Sequence, residues 1–368
     1  MKNSWIQKSS GVHVPQARVG VREMSEEHIS REAFFGPASM IYHGKPARAP
    51  KRVEGSLNLR MAKIADFKVS DEDSETGLPT LMLHNDEVRI SLSRRAADMP
   101  FLIRNVDADT LIYVQQGSGT FATEFGPLSY SDGDYIYIPK GVSYRQMPAT
   151  QTVALVVESI APINIAEHAM LGRHTPFDTG VLGVPEVESY DWPEQDEWEL
   201  KLKQGDELTS WFYEELPFDL IGWKGDLFPF RLSEKDIRHV TSERMHIAPS
   251  SWCIFESSSF LCVAFRPMSG VSDPEAEELP SRHRNLDTEE VLFIRSLFAG
   301  VVAPELWHMP QAVTHGPLDE HRKMFEMHRK QIEAEGGKLQ RTFDAVSIDP
   351  FRRVIPTPAY EAMVAANG

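Results

Sequence analysis

Cysteine is nearly absent from this chain of 368 residues: Cys253 and Cys262 stand alone, each inside an apolar run, SWCIFE and FLCVAF. Two such residues exclude a disulfide framework and read as core thiols of a reducing compartment. Positive charge is also short. Against 54 Asp plus Glu there are 38 Lys plus Arg, a formal charge of −16, which repels phosphate backbones and anionic lipid, so neither a nucleic acid nor a membrane is expected as a partner. The one basic cluster, Lys45, Arg48, Lys51 and Arg52, is interleaved with Pro46 and Pro50 and reads as a solvated connector. Long hydrophobic runs are missing too. Nothing approaches the ~20 apolar residues of a membrane span, and the first 25 residues hold no signal-peptide core, so a cytoplasmic location is expected.

What is present fits a globular chain: 41% hydrophobic and 25% charged residues are near-average values, which disfavours disorder. Residues 1–60 are rich in Gly, Pro and polar residues and read as an N-terminal arm. Short strands follow in EVRISLS, TLIYVQQ, TFATEF, DYIYIPK and TVALVVES, separated by turn signals such as SDGD and PKG. Their alternation and β-branched content predict an antiparallel barrel. The acidic, Pro-containing stretch VPEVESYDWPEQDEWE reads as a connection, after which strands return in SWCIFES, FLCVAFRP and EVLFIRS. The expected division is an arm over 1–60, a first barrel over 61–180, a connection over 181–220, a second barrel over 221–345 and a tail over 346–368. LDEHRKMFEMHRKQIEAEGG carries helical spacing and ends on Gly336 and Gly337; its His321 and His328 read as part of a solvated face.

An internal repeat isolates the chemistry. RNVDADTLIYV from Arg104 aligns without a gap on RNLDTEEVLFI from Arg284. Pro139 is followed five residues on by Tyr144, and Pro310 by His315. The residue before Arg104 is Ile103, whereas the residue before Arg284 is His283. Thr110 corresponds to Glu290 and Asp109 to Glu289. Packing would be served equally by the first copy's residues, so a histidine pair and a carboxylate confined to the second copy point to a metal.

This pattern resembles the cupins, in which a His-containing first motif with a nearby glutamate is followed by a Pro-x-Gly-x-x-His turn; here Asn285 stands where the second His of the first motif is usual. The resemblance implies a mainly β, duplicated cupin with barrels of the jelly-roll type, an N-terminal arm and a few helices. His283, a glutamate and His315 would form a facial triad suited to mononuclear Fe(II), while ligand type alone also admits Zn or Mn. Two spacings compete for the carboxylate. The ungapped HRNxxxE register selects Glu289, and the strand register taken from Thr110 selects Glu290, which is favoured.

Several longer runs, REAFFGPASMIYHGKPARA, RNVDADTLIYVQQGSGTFATEFGPLSYSDGDYIYIPKG, GWKGDLFPFRLSEKDI, SRHRN with EEVLF, and THGP, together resemble the homogentisate 1,2-dioxygenase family in a compact bacterial form. That resemblance implies an Fe(II)-dependent enzyme that opens homogentisate to maleylacetoacetate in the catabolism of tyrosine and phenylalanine. Its partners would be a small aromatic acid and dioxygen, and its assembly a homo-oligomer. Carried over, it makes His246 in MHIAPS the general base and places His308, His315 and Phe298 at the substrate, with Phe298 standing where the family often has a tyrosine. The alternatives are a bicupin dioxygenase for another hydroquinone or a gentisate-like acid, and a non-catalytic ligand-binding bicupin.

Overall fold

The structure is a computed structural model. It describes residues 8–13, 25–32, 35–45, 47–167, 176–187, 192, 194–238, 252–266, 282–297, 304–336 and 343–367. Two seven-stranded sheets dominate it. The first runs Phe230–Ser233, Asp134–Ile138, Asp109–Gln116, Thr152–Ser159, Val88–Arg95, Thr80–His84 and Ile355–Pro356. The second runs Arg60–Lys63, Glu305–Met309, Glu290–Leu297, Phe343–Pro350, Phe260–Phe265, Cys253–Glu256 and Asn164–Ile165. Strand for strand the two orders are the same, so the sequence repeat is a structural duplication and the fold is a duplicated cupin.

The copies exchange their edges. Arg60–Lys63, which precedes the first copy, closes the second sheet on Glu305–Met309, while Phe230–Ser233, between the copies, closes the first on Asp134–Ile138. Hairpins are exchanged in the same sense. Ser25–Glu32 and Phe35–His43 form a hairpin whose first strand lies parallel to Arg282–Asn285 of the second copy. The hairpin of Trp198–Gln204 and Glu207–Tyr213 lies parallel to Leu102–Asn105 of the first.

Alternation along each strand sorts the side chains into three apolar layers. Leu111, Tyr113, Leu155 and Val157 of the first sheet pack with Val291, Phe293, Val346 and Ile348 of the second, which joins the copies back to back. Tyr113 meets Phe293 edge-on at 6.1 Å between ring centroids. The opposite faces of the sheets point into the barrels: Ile112, Val114 and Val156 line the first, and Leu292, Ile294 and Val263 the second. Cys253 and Cys262 are buried and free, and burial pushes both thiols up, as expected of core cysteines.

An ionic cluster around the buried Glu234 ties the copies together. Glu234 accepts from Tyr113 Oη at 3.2 Å, from Arg295 at 2.8 Å and from Arg266, and Arg266 also pairs with Asp344. The helix read from spacing spans Asp319–Ala334 and ends beside Gly336 at φ 79°. Among the described residues no helix is long and apolar enough to cross a membrane, and Lys45, Arg48, Lys51 and Arg52 are exposed.

Candidate metal centre

Glu290 opens the strand Glu290–Leu297, and alternation turns it inward with Leu292 and Ile294, into the second barrel. His283 lies on Arg282–Asn285, and His315 follows the turn that starts at Pro310. A backbone bridge at 2.9 Å in both directions holds the two histidines opposite each other. This is the pairing of Ile103 with Tyr144 in the first barrel, so the aligned positions coincide in space.

Both imidazoles converge on one atom. His283 Nε2 lies 3.1 Å and His315 Nε2 3.0 Å from Glu290 Oε2, all three side chains are buried, and their ligand atoms fall within 4.8 Å of one another. His315 Nδ1 bonds the Val313 carbonyl at 2.9 Å, which fixes the ring and turns Nε2 inward, the support a metal-binding histidine needs. Burial alone would raise the Glu290 carboxyl, but hydrogen bonds from His283 and His315 hold it well below the usual range. A buried carboxylate with two imidazole nitrogens is a donor set that fits a divalent ion.

Glu289 points the opposite way. Its Oε2 takes His308 Nε2 at 2.7 Å and the Val354 amide at 3.0 Å on the face between the copies. The first barrel holds the same device, with Asp109 accepting from Tyr137 Oη at 3.0 Å and the Ile163 amide at 2.9 Å. A pair present in both copies reads as scaffold, so Glu289 is not brought to the cluster. The expectation that His308 borders the substrate does not match this register: His308 pairs with Val291, whose side chain faces between the sheets, whereas Met309 pairs with Glu290. His246 and Phe298 lie outside the described residues.

Two further elements reach the cluster that the sequence alone leaves aside. In the parallel pair of Ser25–Glu32 with Arg282–Asn285, His28 is in register with His283 and Ser30 with Asn285. Partners in register project to the same face, so His28 and Ser30 face the barrel interior. Glu27 faces outward, where it accepts from Arg284 and from Thr314 at 2.7 Å each. Asp349 is buried next to the cluster and accepts from Ser347 Oγ at 2.6 Å; burial, then the charge of Glu290, raises its carboxyl well above the ordinary range. Nothing local in the sequence marks His28, because its position follows from a strand pairing across some 250 residues of chain.

Residues 81–233 match the family model described as homogentisate 1,2-dioxygenase N-terminal. The chain is similar to the homogentisate 1,2-dioxygenase family. A protein of Saccharolobus solfataricus named as a candidate dioxygenase is 27% identical over 290 residues, 74% of each chain. A homogentisate 1,2-dioxygenase of Nitrobacter hamburgensis is 27% identical over 142 residues, which are 38% of this chain and 31% of that enzyme. Among solved structures, a cupin 2 conserved barrel domain protein of Leptotrichia buccalis overlaps 75% of this chain and 88% of its own at 11% identity and a TM-score of 0.32. The family-model span covers the strands of the first barrel from Val88 to Ser159, the hairpin of Trp198–Gln204 and Glu207–Tyr213, and Phe230–Ser233, and ends before His283, Glu290 and His315.

Proposed function

We propose that this chain is an Fe(II)-dependent ring-cleaving dioxygenase that opens homogentisate to maleylacetoacetate in aromatic amino-acid catabolism. The observation that carries the proposal is the convergence of His283, Glu290 and His315 inside the second barrel, with Ile103, Thr110 and Tyr144 at the same places in the first. Two neutral imidazoles and one carboxylate around a divalent ion leave a net positive site, which suits an acidic substrate. Bound there, Fe(II) would supply the redox chemistry that lets dioxygen react with an electron-rich ring.

The protein's own groups then bind, orient and move protons. The hydrogen bond from His315 to the Val313 carbonyl and the buried apolar wall of Leu292 and Ile294 hold the ligands and exclude water. His28 and Ser30, in register with His283 and Asn285 on the adjoining strand of the N-terminal hairpin, share their inward face and would bond substrate oxygens from there. His246, on the family resemblance, accepts the proton of the ring hydroxyl remote from the metal, a task that matches an imidazole's pKa near neutrality.

The test is dioxygen uptake by anaerobically iron-loaded protein offered homogentisate, gentisate and unsubstituted hydroquinone. One dioxygen consumed per homogentisate, with maleylacetoacetate formed, is the expected result. Uptake with gentisate but not homogentisate would replace the substrate. No uptake with any of the three would overturn the enzymatic reading in favour of a ligand-binding bicupin.

A further inference from the structure

The first barrel is not filled. Where the second barrel carries its candidate metal cluster, the first encloses a cavity of about 160 Å³, with Ile103, Thr110 and Tyr144 on its wall in place of His283, Glu290 and His315. That volume is close to the roughly 150 Å³ of an engineered protein cavity that takes up benzene, so the space fits one six-membered ring. Ile103, Ile112, Phe121 and Val156 supply flat apolar contact.

The polar part of the lining divides into groups already satisfied and groups that are not. Glu158 takes Lys203 Nζ at 2.7 and 2.9 Å and Asn105 Nδ2 at 2.7 Å, and Asp71 takes Ser93 Oγ at 2.6 Å and the Arg94 amide at 3.0 Å. The hydroxyls of Ser91, Thr110 and Tyr144 also line the cavity, yet none has a hydrogen-bond partner among the described residues, and Ser91 and Thr110 are more than nine-tenths buried. Their oxygens open onto the cavity rather than being sealed in the packed wall, so each is free to bond a molecule that enters it.

We propose that the metal-free first barrel is a second binding site, and that it takes an uncharged, hydroxylated single aromatic ring. Ring size and wall chemistry select the aromatic body, the three open hydroxyls select a hydroxylated ligand, and the cations on the wall, Lys203 and Arg89, are already paired with Glu158 and Asp206, which leaves no free counter-charge for an anion. The hairpin of Trp198–Gln204 and Glu207–Tyr213 contributes Lys203 and Leu208 to the wall, its first strand lying parallel to Leu102–Asn105. Binding is reversible and involves no chemistry, because the acids Glu158 and Asp71 are already engaged and no metal ligand set forms there among the described residues. The proposal is independent of the reaction assigned to the second barrel.

Anaerobic equilibrium dialysis of the full chain, stripped of metal, against hydroquinone and against benzoate tests it. Expected is one saturable hydroquinone site that survives His315→Ala, weakens about threefold to tenfold in Tyr144→Phe through loss of one neutral hydrogen bond, and disappears in Ala154→Phe, which fills the cavity. Thermal unfolding checks that the variants are folded, and Tyr144→Phe keeps the test decisive where Ala154→Phe is not. Benzoate, of equal ring size but charged, is expected to bind at least about tenfold more weakly. Absence of saturable binding up to millimolar hydroquinone, indifference to Tyr144→Phe, loss of the site in His315→Ala, or equal affinity for benzoate would each overturn the proposal.

Discussion

Glu289 and Glu290 are adjacent in the chain and face opposite sides of one sheet: Glu290 meets His283 and His315 inside the second barrel, and Glu289 meets His308 between the two copies. Two carboxylates that differ by one position in sequence are thereby given different work. Removing them should have different signatures. Glu290→Ala is expected to abolish iron binding, because a three-ligand site does not retain its ion on two. Glu289→Ala is expected to keep iron near one per chain but to lose stability, since the Val354 amide and His308 Nε2 are left unpaired at about 1–3 kcal/mol each. Metal analysis beside urea unfolding separates the two, and full iron in Glu290→Ala would refute the assignment.

His28 offers a second measurement. If it bonds a substrate oxygen, His28→Ala should leave iron content unchanged and raise KM about tenfold, in the range of one hydrogen bond to a charged group. His28→Gln, which retains a donor, should recover part of the loss. A fall in iron content instead would make His28 a support of His283, its neighbour in register.

Ala312 occupies the turn between Pro310 and His315 at φ 58°, and its counterpart in the first barrel is Gly141 at φ 83°. The amide of each bonds the carbonyl of an equivalent asparagine, Asn285 at 2.9 Å and Asn105 at 2.8 Å. A left-handed residue with a Cβ costs about 1–2 kcal/mol, and glycine there costs roughly 0.5–1 kcal/mol of extra chain entropy. Ala312→Gly is therefore expected to stabilise the protein by about 0.5–1 kcal/mol in denaturant titration. A destabilised variant would show that the Ala312 methyl makes packing contacts worth more than the strain.

Asp344 supplies a pH dependence. Burial, with the neighbouring Glu234, pushes its carboxyl from 3.8 to about 6, against the opposing pull of Arg266 and Arg295. Between about pH 4 and 6 the folded chain holds a proton that the unfolded chain has released, so this group's contribution to stability falls as pH rises through that window and levels off above it. Two pKa units correspond to at most roughly 3 kcal/mol. Asp344→Asn should remove that slope, so the variant loses less stability than the wild type from pH 4 to 6.5; parallel curves from urea unfolding would rule this out.

The repeat that starts at Arg104 and Arg284 made the duplicated fold legible, because apolar alternation and turn residues are local properties that recur wherever the same strands form. It also made the pairing of His283 with His315 legible, since Ile103 and Tyr144 mark the same bridge in the other copy. The choice between Glu289 and Glu290 was legible only as two competing spacings. A one-residue difference reverses the face of a strand, and that face is set by which neighbour the strand pairs with. His308 shows the same dependence: its residue type suits a site, but its register turns it to Glu289. His28 and the exchange of edge strands between copies depend on pairings between segments far apart in the chain, which no local pattern encodes. Composition and periodicity thus determined what each segment is, and tertiary packing alone decided which side chains meet, because contacts across hundreds of residues are fixed by strand register and by the burial of the faces between the sheets.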